Sequence, residues 1–109
     1  MLRELKTGLE QSVEVHLLVI DETASTVTSE GELITPEKSN RAFQAAVTGA
    51  GAVAVVDIEV SCNGTDWQPF ITLYPKENTP DGTQDFCPWP FTRAKVQANT
   101  GTLNVTVGC

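Results

Sequence analysis

The chain has few of the residues on which catalysis, metal binding and membrane insertion depend. Its 109 residues include one histidine, three cysteines and one methionine, and aromatic residues make up 6% of the sequence. No apolar run reaches the roughly 18–20 residues that a membrane-spanning helix requires. The N-terminal residues also lack the continuous apolar centre of a signal peptide. We therefore expect a protein that is made in a cytosol and has no membrane partner.

Basic residues are also scarce. The chain has seven Lys and Arg residues against 14 Asp and Glu residues, which gives a formal net charge of −7. Affinity for nucleic acid comes largely from Lys and Arg side chains that neutralise phosphates, and anionic membranes attract basic segments in the same way. The charge balance therefore argues against nucleic acid and against an anionic membrane surface as partners.

The three cysteines are too few and too scattered to predict a metal site. Cys62, Cys87 and Cys109 contain no CxxC pair, and an odd number cannot all pair within one chain. Free thiols are the ordinary state in a cytosol, and a Cys62–Cys87 disulfide is an open alternative. A zinc site would need His16 to join all three cysteines, without the usual ligand spacing. We predict no metal and no cofactor.

A single histidine also limits catalysis. His16 follows Glu14 on one face of a predicted strand, but no nucleophile elbow accompanies them. Asp57 and Glu59 share a face at a separation of about 7 Å, whereas the two carboxylates of a glycosidase lie across a cleft. The sequence therefore predicts a protein that is not an enzyme and has no catalytic residues.

The clearest structural signal is an alternation of apolar and polar residues. Every second residue from Ala52 to Cys62 is apolar or small, while Asp57 and Glu59 between them are polar. This period of two is typical of a strand with one face in a core. Asn63-Gly64 is a strong hairpin signal. We therefore predict that the chain turns there and returns along residues 67–74.

Shorter segments repeat the same alternation. We predict strands over residues 13–20, 41–48, 91–98 and 102–109, and a short strand at residues 26–28. The polar residues 75–85 are predicted to form a loop. Six to eight short strands without strong helical periodicity favour an all-β fold, which would be an antiparallel β-sandwich or a jelly-roll-like barrel. The core residues predicted to close this fold are Phe43, Trp67, Phe70 or Ile71, and Trp89.

The N-terminal residues differ from the rest of the chain. Residues 12–109 are predicted to form one domain, and residues 1–11 an extended arm. Leu2, Leu5 and Leu9 are spaced as on one or two helical turns, but so short a helix is marginal without a neighbour. We therefore interpret the three leucines as partner contacts.

Two further positions are candidates for partner binding. Val53 and Val55 are apolar on the outward side of the long predicted strand, beside small alanines. Trp89 lies between two prolines that stiffen the backbone. We expect the valines to mark a subunit contact and Trp89 to lie near a partner-binding loop.

Two stretches of the chain resemble a small all-β domain that recurs in virion proteins of tailed bacteriophages. They are FQAAVTGAGAVAVVDIEVSCNGTDW and PWPFTRAKVQANTGTLNVTVG, which span most of residues 42–108. The shared pattern is a long strand that ends in IEVSxNGxxW, a Trp-Pro-Phe-x-Arg-Ala-x-Val strand and a final TGTxxVxV strand. The resemblance implies a virion structural protein of the capsid decoration, cement or head-fibre type.

The resemblance also implies where the protein acts. A chain of this length fits a decoration protein that binds the outer head surface and stabilises the shell of a virion assembled in the host cytoplasm. Its partner would be the major capsid protein, and the chain would form a homo-oligomer, either a trimer or a dimer. Contacts would come from the arm and from residues 21–40 and 75–89. The alternative is a carbohydrate- or receptor-binding module of a tail, fibre or baseplate, with Trp67 or Trp89 exposed.

Overall fold

The computed structural model describes residues 14–109 and shows two antiparallel β-sheets that pack face to face. The predicted all-β antiparallel sandwich is therefore confirmed. The predicted arm, with Leu2, Leu5 and Leu9, lies outside the described residues. No helix in the described range has the length and hydropathy that crossing a membrane requires. The strands are β1 Val15–Glu22, β2 Val27–Thr28, β3 Glu32–Leu33, β4 Asn40–Thr48, β5 Ala54–Ser61, β6 Gln68–Leu73, β7 Asp81–Phe86, β8 Phe91–Asn99 and β9 Thr102–Gly108, with a 3-10 turn at Pro36–Lys38.

The strand order is that of a jelly roll. One sheet has the order β1-β9-β4-β7, and the other has the order β2-β8-β5-β6, with β3 also paired to β8. β2 pairs with β8 near Val96 and β3 pairs with it near Phe91, so the two act as one interrupted strand. Counted in this way, the orders are 1-8-3-6 and 2-7-4-5, which define an eight-stranded jelly roll.

The core lies between the two sheets and follows the predicted alternation. Phe43 is 1% exposed, and its ring meets Phe70 edge to face with centroids 5.9 Å apart. Phe70, Ile71 and Trp89 pack against the buried cluster at its margin, as predicted. The fully buried aliphatic residues of the central strands are Ala45, Val56, Ile58, Val60, Ala94, Leu103, Val105 and Val107.

Trp67 and Cys62 were predicted to face the core, and both predictions are wrong. A loop of several residues, rather than a two-residue turn, joins β5 to β6, and the alternation ends at Ser61. Cys62 is exposed. The half-buried Trp67 lies on the outer side of β8, where the Arg93 guanidinium is 4.3 Å from its ring centroid. Gly31 makes room for this ring, since a Cβ there would lie 2.8 Å from it.

The alternation over residues 13–20 predicts Val15, Leu17 and Val19 on the inner face of β1, and for Val15 and Leu17 that prediction is wrong. The pairing of β1 with β9 shifts register between Leu17 and Val19. Because of this irregularity, Leu18 and Val19 are both buried, whereas Val15 and Leu17 are 65% and 53% exposed. His16 therefore lies on the inner side of its sheet.

The segment predicted as a polar loop, residues 75–85, contains most of strand β7. β7 pairs with β4 from Asn40 opposite Phe86 to Ala45 opposite Asp81. Its sequence, DGTQDF, has no apolar alternation, so the hydrophobic pattern could not reveal it. Backbone pairing with β4 forms the strand at the edge of the sheet, where a polar sequence is tolerated.

Candidate interaction surface

The outer surface of the four-stranded sheet carries no charged side chain along β4, β7 and β9. The chain has 14 acidic and seven basic residues, so a sheet surface without any of them is a distinct feature. We call this surface, together with Val15 and Leu17 at its β1 edge, the uncharged face. Its other outward residues are Asn40, Ala42, Gln44, Ala46, Thr48, Gly82, Gln84, Phe86, Thr102, Asn104, Thr106 and Gly108.

A shallow groove of about 480 Å³ crosses the uncharged face. Its floor is made of small residues that strand pairing places side by side, with Ala42 next to Gly108 and Gln44 between Thr106 and Gly82. Large apolar side chains stand at both edges of the sheet, with Val15 and Leu17 on β1 and the 68% exposed Phe86 on β7. The groove therefore has an uncharged floor between apolar edges.

Two glycines shape the floor of the groove for different reasons. A Cβ at Gly82 would lie 2.7 Å from the carbonyl oxygen of Phe43, which is closer than real Cβ contacts come. The close approach of β7 to β4 therefore requires glycine at that position. A Cβ at Gly108 would meet nothing within 4 Å. The fold would therefore tolerate a larger residue than glycine at position 108.

The outer surface of the five-stranded sheet has the opposite character, and we call it the charged face. Arg93 forms an ion pair with Glu59, with Nη2 2.7 Å from Oε1. Asp57 accepts hydrogen bonds from Thr72 at 2.8 Å and from Gln97 at 2.6 Å. These polar groups satisfy one another or are hydrated, so the charged face is suited to water.

Among the described residues that were predicted to bind a partner, Trp89 lies apart from Val53 and Val55. Val53 is 49% exposed at one end of the five-stranded sheet, where its backbone pairs with Thr100. Val55 is half-buried beside Ala98 of β8. Trp89 comes just before β8 at the opposite end, and a strand of that length spans about 27 Å. The groove of the uncharged face contains none of the three.

The inner side of the four-stranded sheet carries a buried arginine that the sequence analysis did not single out. Arg41 is fully buried, and its hydrogen bonds within the described residues go to neutral groups. The signal was present in the sequence, because Arg41 is in phase with the inward residues Phe43 and Ala45. Its guanidinium donates to the backbone oxygens of Lys38 at 2.6 Å, Trp89 at 2.7 Å and Ile34 at 3.4 Å, and lies 3.4 Å from both Thr92 Oγ1 and Cys87 Sγ.

The cysteines differ in exposure, and all three are free thiols. Cys87 is completely buried beside Arg41. Burial raises the pKa of the Cys87 thiol, and the nearby Arg41 charge opposes this increase. Cys87 is therefore a packed, protonated thiol, while Cys62 is exposed on the β5–β6 loop.

His16 joins the two sheets at the β1 edge. Its Nδ1 is 3.0 Å from Oε1 of Glu32, which belongs to β3 of the opposite sheet. Its Nε2 is 3.1 Å from Oε1 of Glu14. Glu14 in turn exchanges two backbone hydrogen bonds with Cys109, at 2.9 and 3.0 Å. The single histidine is half-buried between two carboxylates.

Comparison with known proteins identifies a similar fold. No protein-family model matches the chain, and no curated protein sequence matches it significantly. Among solved structures, the crystal structure of SPBc2 prophage-derived protein YomS is similar, with a TM-score of 0.60 and 14% sequence identity. The similarity covers 89% of this chain and 91% of that chain. At this identity the two proteins share a fold over nearly their full length.

Proposed function

We propose that this chain is a structural protein of a bacteriophage particle, which binds the outer surface of the head through its uncharged face and stabilises the shell. The observation that carries the proposal is the contrast between the uncharged face and the charged face. Two facts support it further. The chain shares its fold with a prophage-derived protein, and the jelly roll is an architecture of viral capsid proteins.

A protein partner can cover the uncharged face at a lower desolvation cost than it can cover the charged face. Burying a charge without a partner is expensive, and a chain with a net charge of −7 repels other acidic surfaces. Contact through the uncharged face buries no charge on this chain and covers Val15, Leu17 and Phe86. Each contact would be modest, but a shell offers many sites, so even modest contacts would stabilise it when many copies bind.

The carbohydrate-binding alternative depended on an exposed tryptophan. Trp67 is stacked against Arg93 on the charged face, and Trp89 packs against the core. Neither lines the groove. Sugar and small-ligand sites use a few aromatic side chains with open faces. The arrangement of the two tryptophans therefore supports a protein partner over a glycan.

The test compares two alanines on opposite outer surfaces. Ala42 lies in the floor of the groove, and Ala98 is exposed on the five-stranded sheet. Phage particles are assembled from the genome that encodes this chain, with the native gene replaced by Ala42→Glu or by Ala98→Glu. We expect Ala42→Glu to reduce the amount of chain that sediments with purified particles at least tenfold. Ala98→Glu is expected to bind as the wild type does.

Each outcome of this experiment decides one part of the proposal. Thermal unfolding must first show that both variants are folded. Equal particle binding by folded Ala42→Glu and by the wild type would overturn the role of the uncharged face. Absence of the wild-type chain from purified particles would overturn the virion assignment. A wild-type dimer or trimer that Ala42→Glu dissociates, with particle binding unchanged, would assign the face to contacts between copies instead.

A further inference from the structure

The cluster at the β1 edge combines three kinds of metal-binding side chain. Glu14 directly precedes β1 and lies two residues from His16 along the same extended backbone, so their side chains share a face. Cys109 lies directly opposite Glu14 across the ladder. One ligand atom from each of the three lies within 4.8 Å of the others. Strand pairing thus brings a carboxylate, an imidazole and a thiol close together.

The ring of His16 has two carboxylate neighbours, but a neutral ring cannot donate a hydrogen bond to both of them. A neutral imidazole has one N–H group, and its other nitrogen is an acceptor. Carboxylate oxygens are acceptors as well, and they lie 3.0 Å from Nδ1 and 3.1 Å from Nε2. One of the two contacts therefore requires a further proton, on the ring or on a carboxyl group, or a metal ion.

We propose that Glu14, His16 and Cys109 bind a zinc ion, and that Glu32 is a positioning residue for His16. With bonds of 2.0–2.3 Å, tetrahedral zinc holds its ligand atoms about 3.3–3.6 Å apart. The present separations, up to 4.8 Å, would need to close by about 1 Å. The three side chains leave the fourth position of the ion to a water molecule.

The donor set and its surroundings both favour zinc. Sulfur, nitrogen and oxygen ligands together suit zinc, whereas magnesium and calcium take oxygen ligands. A metal-bound histidine usually donates its other N–H to a carboxylate, which fixes its tautomer and its orientation. Glu32 stands in that position. When Nδ1–H donates to Glu32, the lone pair of Nε2 is free to bind the metal. The contact between Nε2 and Glu14 then needs no additional proton, because both atoms bind the metal.

The charges around the cluster make binding depend on pH. Burial raises the pKa of the Cys109 thiol, Glu14 raises it further, and Arg41 and Lys38 act in the opposite direction. Zinc binds a cysteine as the thiolate, so binding at the cluster displaces the proton of the Cys109 thiol. A bound ion would connect the start of β1 to the residue after β9.

Calorimetric titration of the full chain with zinc chloride, in a reductant without thiols, tests the proposal. We expect one zinc ion to bind per chain, with affinity reduced at least tenfold by Cys109→Ser and by His16→Ala. Cys62→Ser is the matched control, because Cys62 is a free, exposed thiol outside the cluster. It is expected to bind zinc as the wild type does.

The absorption spectrum of bound cobalt(II) distinguishes the metal ligands from the positioning residue Glu32. Cobalt(II) bound in place of zinc should produce a thiolate-to-metal absorption band in the near ultraviolet, which Cys109→Ser abolishes and Cys62→Ser retains. Glu32→Gln should weaken zinc binding about 10–100-fold, as the loss of an outer partner does. It should retain the cobalt band because the thiolate ligand is intact.

Two results would overturn the proposal. One is equally tight zinc binding by the wild type and by Cys109→Ser, with both folded by circular dichroism. The other is a wild-type chain that binds no zinc. Neither result depends on whether the chain is part of a phage particle.

Discussion

The two sheets place their charged groups on opposite sides. In the four-stranded sheet, Arg41 and His16 lie on the inner side, and the outer side of β4, β7 and β9 carries no charged side chain. In the five-stranded sheet, β5 and β8 present Asp57, Glu59 and Arg93 outward, while their inner side is almost entirely aliphatic. One outer surface is therefore suited to water, and the other is the surface that we propose for contact with a protein partner.

The same difference predicts where substitutions are costly. An inward charge must be compensated by protein hydrogen bonds, because water does not reach it. An outward charge is hydrated even when its partner is lost. We therefore expect the largest effects inside the four-stranded sheet and the smallest on the charged face.

The largest effect is expected for Arg41→Met. Methionine keeps much of the length of the side chain but removes every donor, so the carbonyl groups of Lys38, Trp89 and Ile34 lose their partner. Each buried unsatisfied group costs about 1–3 kcal/mol, and we expect the free energy of unfolding to fall by about 3 kcal/mol. Urea denaturation measures the loss.

The control for Arg41→Met is Lys95→Met, which removes an exposed cation from the charged face. It should change the free energy of unfolding by less than about 0.5 kcal/mol. Similar losses for the two variants would contradict the proposed difference between the inner and outer charges.

An intermediate effect is expected at the glycines of the uncharged face. Gly82→Ala places a Cβ against the carbonyl oxygen of Phe43, and relieving that contact must move backbone. We expect a loss of about 2 kcal/mol in the free energy of unfolding. Gly108→Ala is the matched control, because its Cβ meets open space, and it should cost less than about 0.5 kcal/mol. Equal losses would show that β7 can move away from β4 freely.

The smallest effect is expected for the ion pair on the charged face. Glu59 is 12% exposed and Arg93 is 25% exposed, so solvent and salt screen the pair only in part. A double-mutant cycle of Glu59→Gln and Arg93→Met should give a coupling energy of about 0.5–1 kcal/mol, which decreases at high salt. A coupling as large as the loss from Arg41→Met would remove the distinction between the two sheets.

Much of the fold could be predicted because its central strands have one buried face. The inward residues of β5, such as Val56 and Ile58, alternate with Asp57 and Glu59, and this alternation alone identifies the strand and its faces. β7 has no such pattern, and its strand depends on pairing with β4. Trp67 was misplaced because the length of the β5–β6 loop, which local residue preferences do not determine, sets the phase of the returning strand.

The candidate surface and the β1-edge cluster were harder to predict. Ala42 and Gly108 are more than sixty positions apart in the chain, and they become neighbours only through the ladder between β4 and β9. Cys109 comes to Glu14 through the pairing of β1 with β9 in the same way. His16 meets Glu32 only because the two sheets face each other. None of these proximities is encoded in a local pattern.

The sequence by itself determined the all-β class, the central strands and most of the core, because burial of one face leaves an alternation that can be seen in the order of residues. Only the tertiary structure decided which outer surface is uncharged, where Arg41 finds its hydrogen bonds and which residues surround His16. Those features depend on register and on the packing of two sheets, and both join residues that are distant in the chain.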